Sequence, residues 1–149
     1  MHVVFVCLGN ICRSPMAEAI FTRMVDDVGM NDISIDSCGT SAYHEGSSAH
    51  PGTLRVLNEH GITYGGVSRR VTEKDLNADY VVCMDSENKR DLEARFGKHT
   101  IHLLLDFADT DETDVPDPYF TGGFDHVYRL IESGCRGLLE TIRDDQNRH

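Results

Sequence analysis

Short apolar runs alternate along this chain with segments whose apolar residues recur at every third or fourth position. The runs predict buried strands at residues 3–6, 33–38, 80–84 and 101–105. The periodic segments predict helices at residues 15–28, 54–60, 86–96 and 124–144. Strands that alternate with helices favour a parallel sheet covered by helices on both faces, which is a three-layer α/β/α fold. A chain of 149 residues, 40% of them hydrophobic, is expected to form one domain over residues 1–149.

The segment between the first strand and the first helix has the composition of an anion-binding loop; it reads CLGNICRSP, residues 7–15. Ser14 is a favourable N-cap and Pro15 suits the first helical position, so the free N–H groups of the helix would face a bound anion. Gly9 lets the backbone approach a ligand, and Asn10 tolerates a left-handed conformation. Arg13 adds a planar fork of donors that matches two phosphate oxygens.

Cys7 stands at the mouth of this loop. A cradle that binds an anion also stabilises a thiolate, which is the nucleophilic form of cysteine. The residues alone leave two interpretations open: Cys7 attacks the bound anion, or it is a small buried hydrophobic residue at the end of a strand. Phosphate binding by the loop is compatible with both.

Charge and cysteine content exclude several classes of protein. The formal net charge of −11 argues against a partner that is a nucleic acid or an anionic membrane surface. An odd number of cysteines, five, mostly within apolar runs, is not a secreted disulfide framework. The first apolar run is too short for the core of a signal peptide, and no stretch approaches a transmembrane helix. We therefore expect a cytoplasmic protein. The eight histidines show no metal-ligand spacing with cysteine or carboxylate, so we expect no metal.

Residues 6–21, VCLGNICRSPMAEAIF, resemble the signature of the low-molecular-weight protein tyrosine phosphatases. Further matches follow in the order of that family: SCGTS at 37–41, CMD at 83–85 and VPDPYF at 115–120. The resemblance covers essentially the whole chain. It implies a four-stranded parallel sheet in the order 2-1-3-4. It also implies hydrolysis of phosphotyrosine and small aryl phosphates through a phosphocysteine intermediate, without a cofactor.

The resemblance assigns a role to each matching residue. Cys7 is the nucleophile, Arg13 and the loop amides bind phosphate, and Asp117 is the general acid and then the general base. Asp117 lies between Pro116 and Pro118, which stiffen the backbone, whereas the other carboxylates of its acidic loop have the pattern of a solvated segment. The substrate-binding positions are Leu8, Gly9, Asn10, Ile11, Cys12, Ser14, Tyr43, Tyr119 and Phe120. Protein substrates carrying phosphotyrosine are the expected partners, and inorganic phosphate and vanadate the expected competitive inhibitors.

Hydrogen bonds are expected to hold the loop in shape. The resemblance places Asn10, Ser14 and Ser37 in this supporting network, with Ser14 donating to the sulfur of Cys7. Relatives often carry a histidine in the network where this chain has Gly66. Arg69 or water is expected to replace it.

Cys12 lies in the same loop as Cys7 and has two possible roles. It is either a packing residue or the partner of Cys7 in a disulfide that protects an oxidised thiolate from further oxidation. The second possibility predicts a redox-regulated enzyme.

Three alternatives differ from a tyrosine phosphatase in identifiable residues. Arsenate reductases share the fold and the loop but use two further cysteines in a mobile segment, whereas Cys83 lies in an apolar strand and Cys135 on the core face of a helix. Arginine phosphatases of similar sequence tend to carry threonine where this chain has Ile11. A phosphate sensor without catalysis would keep the loop and lose the acid, whereas Asp117 is present.

Overall fold

A computed structural model describes residues 1–147 of the chain. Its sheet has four parallel strands in the order 2-1-3-4, which confirms the predicted topology. The strands are β1 (His2–Cys7), β2 (Ser34–Gly39), β3 (Tyr80–Cys83) and β4 (Ile101–Leu103). β1 pairs with both β2 and β3 and is therefore the central strand that leads into the loop.

Five α-helices connect and follow the strands within the described residues: α1 (Arg13–Asp27), α2 (Pro51–Glu59), α3 (Ser86–Phe96), α4 (Pro118–Thr121) and α5 (Phe124–Asn147). Two short 3₁₀ helices cover Glu73–Asn77 and Leu104–Phe107. The second of these shortens β4 relative to the predicted strand, and α5 continues past the predicted end at residue 144. The four-residue helix α4 has no periodicity that the sequence could show.

The helices cover the sheet on both faces, as the alternation of elements predicts. Val3 and Phe5 of β1 pack into the larger core together with residues of α1, α2 and α5. Val4 and Val6 pack on the opposite face, in a smaller core that includes Leu92 of α3. Because successive strand residues point to opposite faces, a strand buried on both sides must be apolar throughout, as β1 is.

The carboxyl ends of the parallel strands meet at one edge of the sheet, where open α/β folds bind ligands. The loop after β1 lies against the segment after β2. Two hydrogen bonds hold them together: the Thr40 N–H donates to the Cys7 carbonyl and the Ser41 N–H donates to the Leu8 carbonyl, at 2.9 Å each. A Cβ at Gly39 would lie 2.9 Å from the Leu8 carbonyl oxygen. Only glycine therefore permits this close approach.

Candidate active site

The loop after β1 curls around the sulfur of Cys7. Asn10 adopts the left-handed conformation that the sequence predicts, with φ of 55°. This turn directs the Asn10 backbone N–H at Cys7 Sγ, at 3.2 Å. Cys7 is only 2% exposed, so its sulfur lies at the base of the site.

Ser14 does not cap the first helix, contrary to the sequence prediction. Helix α1 begins at Arg13, with Cys12 in the capping position, and Ser14 is the second helical residue. Its hydroxyl lies 3.0 Å from Cys7 Sγ, and both groups are buried. The Ser14 hydroxyl is thus placed to form a hydrogen bond with the sulfur and does not accept from the free N–H groups of the helix.

Asn10 joins the loop to the two serines that the resemblance names. Its Nδ2 donates to Ser14 Oγ at 2.7 Å and to Ser37 Oγ at 3.0 Å. Its Oδ1 accepts from the backbone N–H of Arg69 at 3.0 Å. Arg69 therefore takes part in the network through its main chain. Ser68 adds a hydrogen bond from its hydroxyl to the carbonyl of Gly9, at 2.9 Å.

Two residues that the sequence analysis missed complete this network. Ser37 donates to Glu18 Oε1 at 2.6 Å, and the Tyr64 hydroxyl donates to the same oxygen at 3.1 Å. A Cβ at Gly66 would clash with the Tyr64 hydroxyl. The tyrosine thus fills the space beside Gly66. Glu18 falls inside the recognised segment 6–21, whereas Tyr64 lies in a stretch that shows no periodicity.

Arg13 is fully buried and held by three groups. Its Nη1 donates to Asp85 Oδ2 at 2.6 Å and to the carbonyl of Val115 at 2.8 Å. Its Nη2 lies 3.4 Å from Asp117 Oδ2. Burial by itself would lower the pKa of Arg13, but the Cys7 sulfur, Asp85 and Asp117 together raise it above its ordinary value. The guanidinium therefore stays charged.

The Nε of Arg13 is buried and makes no hydrogen bond within residues 1–147. A buried donor without a partner costs free energy, so this atom is suited to a ligand oxygen. Asp85, which the sequence analysis names only as part of the CMD motif, makes two kinds of contact. Its Oδ1 accepts from the Asn88 N–H at 2.8 Å and caps α3, and its Oδ2 accepts from Arg13. The motif marks this residue without indicating its contact with Arg13.

Asp117 is held by its own loop. Its Oδ1 accepts from the Tyr119 N–H at 3.1 Å, so the residue caps α4 with Pro118 in the first turn. The preceding Val115 is fixed to the strand end, because its N–H donates to the Met84 carbonyl at 2.9 Å. The carboxylate thus reaches the cleft from a restrained backbone, with its side chain 21% exposed.

A cleft of about 370 Å³ connects these groups with solvent. Its walls are mainly apolar and aromatic and are formed by Cys7, Leu8, Gly9, Ile11, Cys12, Ser41, Tyr43, His44, Asp117, Tyr119 and Phe120. Tyr43 is 85% exposed and Phe120 70% exposed, so both stand at the rim. Asn10, Ser14 and Ser37 are buried outside this lining.

His44 contributes its imidazole ring to the wall of the cleft, a position that the sequence analysis did not predict. Its ring lies between those of Tyr43 and Tyr119, with centroid distances of 4.8 and 5.5 Å. A Cβ at Gly9 would lie 2.9 Å from His44 Cδ2, so this glycine makes room for the imidazole ring. Tyr43 and His44 lie in a loop, and the sequence gives no signal for their stacking.

Comparison with known proteins fits this geometry. Residues 2–148 match the family described as low molecular weight phosphotyrosine protein phosphatase. The chain belongs to this family. It is therefore an enzyme of this kind, with Cys7 and Arg13 in the phosphate-binding loop, and its substrates are phosphoproteins.

Individual members of the phosphatase family resemble the chain over nearly its full length. The low molecular weight protein-tyrosine-phosphatase YfkJ of Bacillus subtilis is 46% identical over 98% of each sequence. Its crystal structure gives a TM-score of 0.93 at 45% identity and covers 97% of this chain and 96% of that one. A protein tyrosine phosphatase from Entamoeba histolytica gives 0.91 at 34% identity, covering 98% and 99%. A Drosophila arginine phosphatase gives 0.90 at 32% identity, covering 95% and 98%.

Cys12 of this phosphatase is buried at the cleft, close to the charged groups. Burial, followed by the negative charges of Asp117 and Cys7, raises the pKa of its thiol to about 12. All five cysteines are present as free thiols. At neutral pH Cys12 is therefore protonated.

Two further properties of residues 1–147 concern membranes and metals. No helix among them combines the length and apolarity that crossing a membrane requires. The same residues contain no group of three or more His, Cys, Asp or Glu side chains placed to hold a metal ion.

Proposed function

We propose that this phosphatase hydrolyses phosphotyrosine in proteins, with Cys7 as nucleophile, Arg13 as phosphate ligand and Asp117 as general acid and base. The observation that carries the proposal is the position of Cys7 Sγ at the base of an aromatic-walled cleft. There it accepts from the Asn10 N–H and lies beside the Ser14 hydroxyl, at 3.2 and 3.0 Å. Both donors stabilise a thiolate.

In the first step the Cys7 thiolate attacks phosphorus, and the bond from phosphorus to the phenolic oxygen breaks. Arg13, the loop amides and the start of α1 neutralise the equatorial oxygens of the transferring group. Asp117 delivers its proton to the departing oxygen, so tyrosine leaves neutral and Cys7 carries the phosphoryl group.

In the second step Asp117, now ionised, takes a proton from water. The resulting nucleophile attacks phosphorus and displaces the Cys7 thiolate, which releases inorganic phosphate. Phosphate and vanadate offer the same oxygens to Arg13 and the loop, so both are proposed as competitive inhibitors. No step requires a cofactor.

The shape of the cleft favours an aryl phosphate. Ile11 and Leu8 present apolar side chains beside the loop, and Tyr43 and Phe120 form exposed rims on which a ring can stack. Phosphoarginine is the second candidate, because an arginine phosphatase is among the similar structures. Its guanidinium group would meet the apolar Ile11 instead of a polar residue.

Matched phosphopeptides test this choice. We expect kcat/KM for phosphotyrosine to exceed that for phosphoserine by about 100-fold, because the shorter side chain misplaces phosphorus relative to the buried sulfur. The peptides differ only in the phosphorylated residue, and kcat/KM is measured for phosphotyrosine, phosphoserine and phosphoarginine. Equal values for serine and tyrosine would contradict the proposal, and a preference for phosphoarginine would identify an arginine phosphatase.

We also propose that residues 1–149 act as a single domain in a reducing cytoplasm, where Cys12 protects Cys7 from irreversible oxidation. The five free thiols support this compartment. Peroxide oxidises the Cys7 thiolate to a sulfenic acid. Attack by Cys12 then forms the Cys7–Cys12 disulfide and releases water. Because burial keeps Cys12 protonated, this second step should accelerate with rising pH.

Reversible inactivation tests the role of Cys12. Wild type treated with peroxide should lose activity and regain it with added thiol, and phosphate should protect it. The Cys12→Ser variant should retain most of its basal turnover but recover far less after the same treatment. The matched control is Cys83→Ser, whose sulfur lies in β3 and which should recover like wild type. Equal recovery of the Cys12→Ser variant would show that Cys12 only packs.

A further inference from the structure

The segment that carries Asp117 has a different anchor on each of its two sides. On its N-terminal side, Val115 is hydrogen bonded to the chain directly after β3. On its C-terminal side, the chain turns at Gly122 and Gly123, which both have positive φ, of 71° and 75°. Two successive glycines restrain a chain weakly, because glycine has more backbone freedom than any other residue. The first side chain after this turn that can hold the segment is Phe124, which is half-buried against the larger core.

The ring of Phe124 packs on the imidazole ring of His50. The two rings are stacked, with centroids 5.0 Å apart and planes 25° apart. A Cβ at Gly52 would lie 2.6 Å from the Phe124 ring, so the absence of a side chain there makes room for it. The same imidazole pairs edge-to-face with Tyr119 in α4, at a centroid distance of 6.1 Å. His50 therefore meets the Asp117 segment twice, inside α4 and just after the glycine turn.

His50 is itself fixed to the phosphate-binding loop. Its backbone N–H donates to the carbonyl of Ile11 at 2.8 Å. Its Nδ1 accepts from the Gly52 N–H at 2.9 Å, so its side chain caps α2. In the first turn of the same helix, the Thr53 hydroxyl donates to the carbonyl of Cys12 at 3.1 Å. These bonds hold the start of α2 against the loop that binds phosphate.

The two sets of contacts make His50 a link between the nucleophile's loop and the acid's segment. His50 is not among the residues that line the cleft, so it acts through the groups that it holds. A proton donor must lie within hydrogen-bond reach of the departing oxygen, and a misplacement of about 1 Å can cost 10²-fold in rate. The position of the Asp117 carboxyl group relative to Cys7 thus depends on this link.

We propose that His50 is a positioning residue whose ring couples the Asp117 segment to the phosphate-binding loop. By holding Phe124 and Tyr119, it keeps the carboxyl group of Asp117 where the phenolic oxygen departs. The inference rests on the proposed role of Asp117 as general acid.

Two substitutions separate the ring of His50 from its function as a cap. His50→Asn removes the ring but keeps the cap, because the oxygen of asparagine can accept from the Gly52 N–H. His50→Phe keeps a ring that can stack on Phe124 but has no acceptor for that N–H. Both variants retain the backbone N–H that donates to Ile11, so inhibition by inorganic phosphate should not change in either.

The measurement is kcat/KM for phenyl phosphate, whose leaving group needs a proton, and for a dinitrophenyl phosphate, whose leaving group does not. For His50→Asn we expect about a tenfold loss with phenyl phosphate and less than about twofold with the activated ester. For His50→Phe we expect both values within about twofold of wild type, with a lower Tm because the cap is lost. Wild-type rates for His50→Asn, an equal loss with both esters, or a loss confined to His50→Phe would overturn the inference.

His60 provides a matched control at the other end of α2. Its ring stacks on Tyr128 of α5 at a centroid distance of 3.9 Å, as the ring of His50 stacks on Phe124. His60→Asn therefore removes an equivalent contact between α2 and α5, and the ratio of the two kcat/KM values should not change. The same change of ratio as in His50→Asn would reveal a general packing effect and would contradict the proposal. Thermal unfolding shows that each variant is folded at the assay temperature.

A double-mutant cycle tests whether His50 acts through Asp117. In an Asp117→Asn background no acid remains to be positioned, so His50→Asn should lower kcat/KM for phenyl phosphate by less than about twofold. A further tenfold loss in that background would refute the inference. If Asp117→Asn is slowed most with phenyl phosphate and His50→Asn is not, this inference alone fails. If Asp117→Asn slows both esters equally, Asp117 is not the acid, and that part of the proposed function fails together with the role of His50.

Discussion

Cys7→Ser is expected to reduce turnover of an aryl phosphate by at least about 10⁴-fold while leaving the fold intact. A serine hydroxyl in this site stays protonated, because the hydrogen bonds that stabilise a thiolate are too weak to ionise an alcohol. The new hydroxyl would remain within reach of the Asn10 N–H and the Ser14 hydroxyl, so no buried polar group loses its partners. Phosphate binding should persist, since Arg13 and the loop are unchanged.

Turnover and phosphate binding are measured on the same preparation, by product release and by isothermal titration. Cys135→Ser is the matched control. That thiol is fully buried in α5, near the carbonyl of Ala17, which can accept from a hydroxyl. This variant should keep wild-type kcat. Residual activity of Cys7→Ser above about one hundredth of wild type would remove Cys7 from the nucleophile's role.

The parts of the molecule that the sequence predicts correctly depend on local signals. The apolar run of β1 is buried on both faces, so its composition alone indicates a central strand. Asn10 adopts the left-handed conformation in the structure. Because asparagine is one of the few residue types other than glycine that tolerate this conformation, its presence in the loop is a local signal for it. These signals lie within a few residues of the structure that they specify.

The parts that the sequence does not predict depend on contacts between distant segments. Asp85 looks like a helix cap and is one, but its other oxygen accepts from Arg13, which is 72 positions away. Tyr64 and His44 lie in irregular segments, where no periodicity indicates which way a side chain points. Such placements are set by packing at the sheet edge, and a single sequence carries no local trace of them.

Ser14 shows a limit of a different kind. Serine is a favourable N-cap because its oxygen can accept from a free N–H, and the same hydroxyl can donate to a sulfur. The sequence predicts the cap, whereas the tight curl of the loop begins the helix two residues earlier, at Arg13, and directs the hydroxyl at Cys7. Residue type alone does not distinguish the two uses.

Asp117→Ala is expected to slow the release of poor leaving groups by about 10²–10⁴-fold, the usual contribution of a positioned general acid. Activated phenols leave without a proton and should be affected far less. Asp117→Ala also removes the cap of α4. Asp117→Asn is therefore the better variant, because the amide oxygen can still accept from the Tyr119 N–H, whereas an amide cannot act as a general acid at neutral pH.

A series of aryl phosphates with graded leaving groups, measured on both variants, distinguishes acid catalysis from loop support. We expect kcat/KM of both to depend steeply on leaving-group pKa, whereas the dependence in wild type is shallow. Asp114→Ala is the control in the same acidic loop: its carboxylate accepts from the Ser86 N–H and hydroxyl and should not affect the slope. If Asp117→Asn restores wild-type rates, or if the loss is equal for good and poor leaving groups, Asp117 supports the loop and is not the acid.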